Sequence, residues 1–169
     1  MLRISRLTDY AFILLAELAE AEEGEVLSGS TLAERTPLPL PTVRKVLKKL
    51  GQEGLLESHQ GAHGGYALTR SADEVSVTEV ISAMEGPIAV TTCTDADEVC
   101  EIEEACPTSE SWKVINEAIR ATLDELTLAD LHGPDTETVQ AALSRAGSSG
   151  SAPSPGGRSP DDPPRRSNP

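Results

Sequence analysis

The chain has 169 residues, a formal net charge of −14 and only 2% aromatic residues. That length suits one domain of ordinary size plus a tail, and the scarcity of aromatics leaves Leu, Val, Ile and Ala to build the core, as packed helices do. So large an acidic excess excludes a generally nucleic-acid-binding surface, and any such surface has to be local.

The opening residues Met1–Asp9 carry charges and lack a continuous apolar core, so no signal peptide is expected. The run Ala11–Ala19 is too short to span a bilayer and is interrupted by Glu17. These features predict a cytoplasmic protein with no membrane partner.

Ser5 or Thr8 can cap a first helix running to about Ala21, with Tyr10, Ile13, Leu14 and Leu18 recurring at helical spacing. Val26 and Leu27 form a short apolar link. Ser28 and Ser30 are alternative caps for a second helix through about Thr36, with Leu32 and Ala33 inward. Pro37, Pro39 and Pro41 then forbid its continuation, and Pro41 suits the start of a third helix, where its missing N–H costs nothing. That helix, to about Glu53, buries Val43, Val46, Leu47 and Leu50. Its other face shows Thr42, Arg44, Lys45, Lys48 and Lys49.

Leu55–Ser58 and Tyr66–Thr69 are short extended runs flanking a glycine-rich tip, Gln60–Gly65, and read as a hairpin. Ser76-Val77-Thr78-Glu79 is a capping box opening a fourth helix to about Glu85, closed by Gly86-Pro87. A fifth helix is expected from about Ser109 to Leu126, with Trp112, Ile115, Ile119, Leu123 and Leu126 on one stripe. Residues 135–146 are weakly amphipathic. Residues 147–169 are almost wholly Gly, Ser, Pro, Asp and Arg and cannot bury enough apolar surface to offset ordering, so they read as a disordered tail.

Two short helices joined by a tight turn and followed by a hairpin are the order of a winged helix-turn-helix. Between Ser30 and Arg70, six basic residues (Arg35, Arg44, Lys45, Lys48, Lys49, Arg70) outnumber three acidic ones (Glu34, Glu53, Glu57), against the trend of the chain. In such a module the start of the second helix approaches base edges, which places Thr42, Arg44 and Lys45 there and Lys48 and Lys49 near phosphates. His63 and Arg70 would accompany the wing, where Gly64 and Gly65 permit close backbone approach to DNA.

All three cysteines, Cys93, Cys100 and Cys106, lie in one acidic loop, with six and five residues between them. Structural zinc sites favour pairs two to four residues apart, and no such pair is present. Iron–sulfur clusters accept irregular, loop-borne thiols and a fourth ligand that is not cysteine. A thiol switch is less natural, because Asp95, Asp97, Glu98, Glu101, Glu103 and Glu104 disfavour thiolates. The late apolar stripe wants a second chain, and a helix-turn-helix protein reading a palindrome wants a two-fold dimer.

The opening Met1-Leu2-Arg3-Ile4-Ser5-Arg6-Leu7-Thr8-Asp9-Tyr10-Ala11, the segment from Pro39 to Leu47, the wing from Gly61 to Tyr66, Leu68-Thr69-Arg70, Ile81, Glu85-Gly86-Pro87 and the three cysteines together resemble a known family. It is the family of iron–sulfur-sensing winged-helix transcription regulators, with its regulators of the Isc and Suf cluster-assembly operons and its nitric-oxide-sensitive repressors. The likeness spans about Met1–Leu131 and looks closest to the Suf-system regulators.

The resemblance implies a mainly α fold: a winged helix-turn-helix with a small β-hairpin wing and a long C-terminal dimerisation helix. It divides its span into a DNA-binding domain (1–87), a cluster loop (88–108) and a dimerisation helix (109–131); beyond it the residues themselves suggest a further helix (132–146) and a tail (147–169). It implies no enzymatic activity. It further implies a homodimer on a palindromic operator, with a 2Fe–2S or 4Fe–4S cluster held by Cys93, Cys100 and Cys106. Isc-type regulators place a histidine three residues after the last cysteine, where this chain has Ser109. Nitric-oxide-sensing members use an aspartate of the partner subunit, a position matched by Asp9, which as a helix N-terminal carboxylate also has a purely structural use.

Overall fold

The computed structural model describes residues 4–22, 25–61, 64–95, 98–131, 137, 139–141 and 144. His63, most of the segment 132–146 and all of 147–169 lie outside the described residues. The architecture is mainly helical with one small hairpin.

Three serines start three of the helices. The Ser5 hydroxyl accepts from the Thr8 N–H and opens α1 (Arg6–Ala19); Ser28 does the same from Thr31 for α2 (Gly29–Arg35). Ser76 and Glu79 cap each other reciprocally at the start of α4 (Val77–Glu85), and Gly86 takes a positive φ of 95° where that helix ends. Helix α3 (Leu40–Gln52) has no side-chain cap; Pro39 precedes it and Pro41 sits in its first turn.

The hairpin pairs β1 (Leu56–His59) with β2 (Gly65–Leu68), Leu56 opposite Leu68 and His59 opposite Gly65. Leu27 exchanges both backbone hydrogen bonds with Tyr66, at 3.0 and 2.9 Å, so the apolar link before α2 acts as a one-residue third strand. This contact explains a glycine. A Cβ at Gly65 would lie 2.6 Å from the Leu27 carbonyl oxygen, and one at Gly64 would lie 2.3 Å from that of His59. Both glycines are required by the protein's own backbone, a use distinct from close approach to DNA.

Leu14, Leu15, Leu32, Val43, Leu47, Leu50 and Val80 are fully buried in one cluster that joins α1 to α4 and the hairpin. The fifth helix, α5 (Ser109–Asp124), stops two residues short of Leu126. The chain then turns back. Leu126 packs with Val77 and Ile81, and Leu128 opens α6 (Leu128–Leu131) from inside the main core. The Thr127 N–H and hydroxyl both donate to Asp130, and the Leu128 N–H donates to the Val75 carbonyl. The helix expected over 109–131 is therefore two pieces, and the second packs into the main core. Among the described residues, no helix is long and apolar enough to cross a membrane.

Candidate nucleic-acid interface and cysteine centre

On α3 the division is clean. Val43, Val46, Leu47 and Leu50 are buried, while Arg44, Lys45 and Lys48 are exposed and Thr42 is half-buried. The helix carries no acidic residue, and among the described residues none of those three cations is in an ion pair. A cationic, unpaired helix face on an acidic protein is suited to phosphate and base contacts.

Two further cations expected at DNA make contacts within the protein. The Lys49 ammonium donates to the Met84 carbonyl at 2.6 Å, near the end of α4. A lysine at a helix C-terminus satisfies a carbonyl that has no partner within the helix, and its charge suits the dipole there. Arg70 pairs with Glu79 at 2.8 Å and donates to the Glu74 carbonyl at 3.3 Å, which ties the wing's base to the start of α4. Burial by itself would raise the Glu79 pKa, but the hydrogen bonds from Arg70 and Ser76 outweigh it and hold the carboxyl below its usual range.

Next to Met84, Glu85 gathers the start of α1. The Ser5 N–H donates to its carboxylate at 3.0 Å and the Thr8 hydroxyl donates to the same oxygen. Hydrogen bonds from Ser5 and then Thr8 lower its pKa, with Lys49 adding to the effect. Asp9 stands exposed in the same first turn of α1, its N–H donating to the Ser5 carbonyl. Helix α3, α4 and the first turn of α1 thus meet at one polar junction.

The cysteine loop leaves this junction through Gly86-Pro87. All three thiols are free and partly exposed. Cys93 sits in a 3-10 turn (Thr92–Thr94), its sulfur 3.2 Å from the Thr91 hydroxyl. Cys106 follows a second 3-10 turn (Glu103–Ala105), its sulfur 3.3 Å from the Thr108 hydroxyl. That hydroxyl, with the Thr108 and Ser109 N–H groups, lowers the Cys106 pKa. Cys100 and Cys106 line one open depression with Ser109 and Lys113; Cys93 is not in its wall. Lys113 bridges Glu103 at 2.9 Å and Glu110 at 3.1 Å, and these carboxylates, Glu103 foremost, raise its pKa.

Three thiols on a loop between two helices fit an iron–sulfur cluster in donor type. Among the described residues, however, no three metal-binding side chains stand together, so the three thiols would have to converge. Ser109, in the slot of the Isc-type histidine, is buried at 4% exposure. Asn116 was invisible in the sequence. It is buried in mid-α5 and holds the loop's entry by hydrogen bonds to Val90 and Ile88.

A family model described as an iron-dependent transcriptional regulator, Rrf2, matches residues 4–134. The chain belongs to the Rrf2 family. It is a DNA-binding transcriptional regulator and not an enzyme. The Rrf2 relatives include the HTH-type transcriptional repressor NsrR of Streptomyces coelicolor, 32% identical over 143 residues, covering 84% of this chain and 96% of the relative. The HTH-type transcriptional regulator IscR of Serratia proteamaculans is 30% identical, covering 77% of this chain and 79% of its own. Among solved Rrf2-type structures, CymR, the global cysteine regulator of B. subtilis, superposes with a TM-score of 0.63 at 32% identity, covering 78% and 97% of the two chains. IscR of T. potens gives 0.57 at 27% identity, over 77% and 85%. These likenesses carry the expected winged-helix fold and the family; they do not single out its Suf branch.

Proposed function

We propose that this protein is a cytoplasmic homodimer whose affinity for a palindromic operator is set by an iron–sulfur cluster. Cys93, Cys100 and Cys106 would hold the cluster, with Asp9 of the partner subunit as the fourth ligand. Its targets would be genes of cluster assembly or of the redox and nitric-oxide response. The observation that carries this reading is the placement of three free thiols on a loop fixed at one end beside α4 and at the other on α5. When bound, the cluster supplies a centre that is sensitive to oxidation and to competing ligands and that ties separate thiolates together.

The chain's own residues do the rest. Thr42, Arg44 and Lys45 face base edges and Lys48 faces phosphate, with Gly64 shaping the wing beside them. The loop begins at Gly86, next to the junction where Lys49 and Glu85 join α3 to α4 and α1. Trp112 and Ile115, 36% and 43% exposed, leave an apolar stripe on α5 for the second copy. In this reading the head is residues 1–87 together with 126–131, the cluster loop is 88–108 and the dimer helix is Ser109–Asp124. Convergence of the thiols acts on the relative pose of the two heads only as far as the two poses bind the cluster differently.

The absorption spectrum and metal content of anaerobically purified protein test this. Brown protein with iron and labile sulfide is expected; colourless protein with stoichiometric zinc would sink the cluster reading. A second reading, a thiol or zinc switch without a cluster, is favoured by the shared wall of Cys100 and Cys106 and by the lowered pKa of Cys106. There, Cys100 and Cys106 would give two electrons and two protons to an oxidant and form one disulfide. Cluster-free protein would then lose or gain operator affinity on oxidation alone.

A further inference from the structure

α5 is exposed along most of its length, and its two buried residues are Ser109 and Asn116. A buried asparagine in the middle of a helix whose Trp112, Val114 and Ile115 stay exposed is an inversion of the usual pattern. Its amide is engaged at both ends. Oδ1 accepts the Val90 N–H at 3.1 Å, and Nδ2 donates to the Ile88 carbonyl at 3.2 Å. The assignment of oxygen and nitrogen is fixed by its partners, one a backbone donor and the other an acceptor.

The connection continues toward the thiol. The Val90 N–H is shared with the Thr94 hydroxyl at 3.1 Å. That hydroxyl also accepts the Thr91 N–H at 3.1 Å and donates to the Thr91 carbonyl at 2.8 Å. The Thr94 N–H donates to the Thr91 carbonyl and the Asp95 N–H to that of Thr92. These bonds close the turn that holds Cys93. The turn around Cys106 has no such buried clasp: its backbone bonds run to Ile102 and Glu103, and α5 meets it through the Ser109 N–H on the Cys106 carbonyl and the half-exposed Lys113–Glu103 pair.

We propose that Asn116 is the positioning residue of the cysteine centre: its amide clasps Ile88 and Val90 to α5 and so fixes the Cys93 turn on the dimer helix. Cys93 is the thiol whose turn is clasped to the middle of α5 by a buried side chain. A ligand at Cys93 therefore acts on α5 directly. The role toward a cluster rests on the function proposed above; the clasp itself does not.

Amide hydrogen exchange on the reduced, metal-free full-length protein tests the clasp. Asn116→Ala should speed exchange at Val90, Thr91, Thr94 and Asp95 by about tenfold, the scale of one lost buried hydrogen bond. Ala105 and Cys106 should not change. Acceleration confined to Val90, or equal acceleration at Cys106, would overturn the proposal. Should Asn116→Ala fail to fold, Thr94→Val carries the test: Thr91, Thr94 and Asp95 should accelerate while Asn116 keeps Val90 protected, and loss of protection at Val90 would overturn it. With iron and sulfide added, Asn116→Ala should bind as much iron as the unaltered protein but with a changed visible circular dichroism spectrum; an identical spectrum would overturn the role toward the cluster. If the unaltered protein takes up no cluster, the proposed function falls while the exchange result still decides the clasp.

Discussion

The DNA-binding head and the cysteine-bearing half of the molecule are built on opposite principles. In the head, α1 to α4, the hairpin and α6 enclose a common aliphatic core, the serine-started helices have side-chain caps, and Lys49 and Arg70 satisfy carbonyls from neighbouring elements. In the loop and α5, Val99 and Ile102 are 89% and 65% exposed, the thiols are partly open, and the stripe on α5 is half-covered at Ile119 and Leu123 and exposed at Trp112 and Ile115. The head holds its shape by its own packing, caps and hydrogen bonds. The other half leaves apolar side chains and thiols displayed.

Core truncation breaks this contrast most sharply. Leu47→Ala should cost the head about 2–5 kcal/mol in denaturant unfolding, because Leu47 is wholly buried. Ile115→Ala should leave the stability of one chain nearly unchanged and instead raise the protein concentration needed for dimer in sedimentation. If Ile115→Ala melts the chain as Leu47→Ala does, α5 is core and the contrast fails.

At the DNA surface the exposed and inward-facing cations separate. Arg44→Ala should weaken operator binding by about 1–3 kcal/mol and relax sequence preference at one position. Lys48→Ala should weaken binding to all sequences and reduce the salt slope by about one. Lys49→Ala should leave that slope unchanged and lower stability by about 1 kcal/mol, through loss of the Met84 hydrogen bond. A drop in salt slope for Lys49→Ala would show that Lys49 reaches phosphate after all.

The smallest effect concerns the junction between α1 and α4. Glu85 has a lowered pKa in the folded protein, so its ionised form stabilises the fold above the ordinary value of 4.5, and this contribution is lost as pH falls below it. Glu85→Gln should therefore be less stable than the unaltered protein at neutral pH, with the difference fading under acid. A difference that persists in acid would mean that shape, not charge, joins the two helices.

Much of the head was legible because its signals are local. Ser5, Ser28 and Ser76 mark helix starts through bonds a few residues long, and the four buried residues of α3 follow from period alone. The contact of Lys49 with Met84 is not legible, because helical period puts Lys49 on the shoulder of α3 and cannot say that α4 packs there. The partners of Arg70, Glu74 and Glu79, are likewise reached only through the fold. The return of Leu126–Leu131 carried a signal that was overlooked, the Thr127-x-x-Asp130 cap. Asn116 carried none, since an asparagine on a polar-looking helix reads as solvent-facing. The cysteines were legible as a group, but which elements hold each thiol depends on the turns at Thr94 and Thr108 and on contacts with α5.

The central claim is that a cluster at Cys93, Cys100 and Cys106 sets affinity for DNA, and one titration addresses it. Operator binding of a single anaerobic preparation is measured before and after the cluster is removed, with iron and sulfide counted in each state. The account predicts brown protein and affinities that differ by about 5- to 150-fold, the usual range of coupling between two sites. Equal affinities in the two states would contradict it.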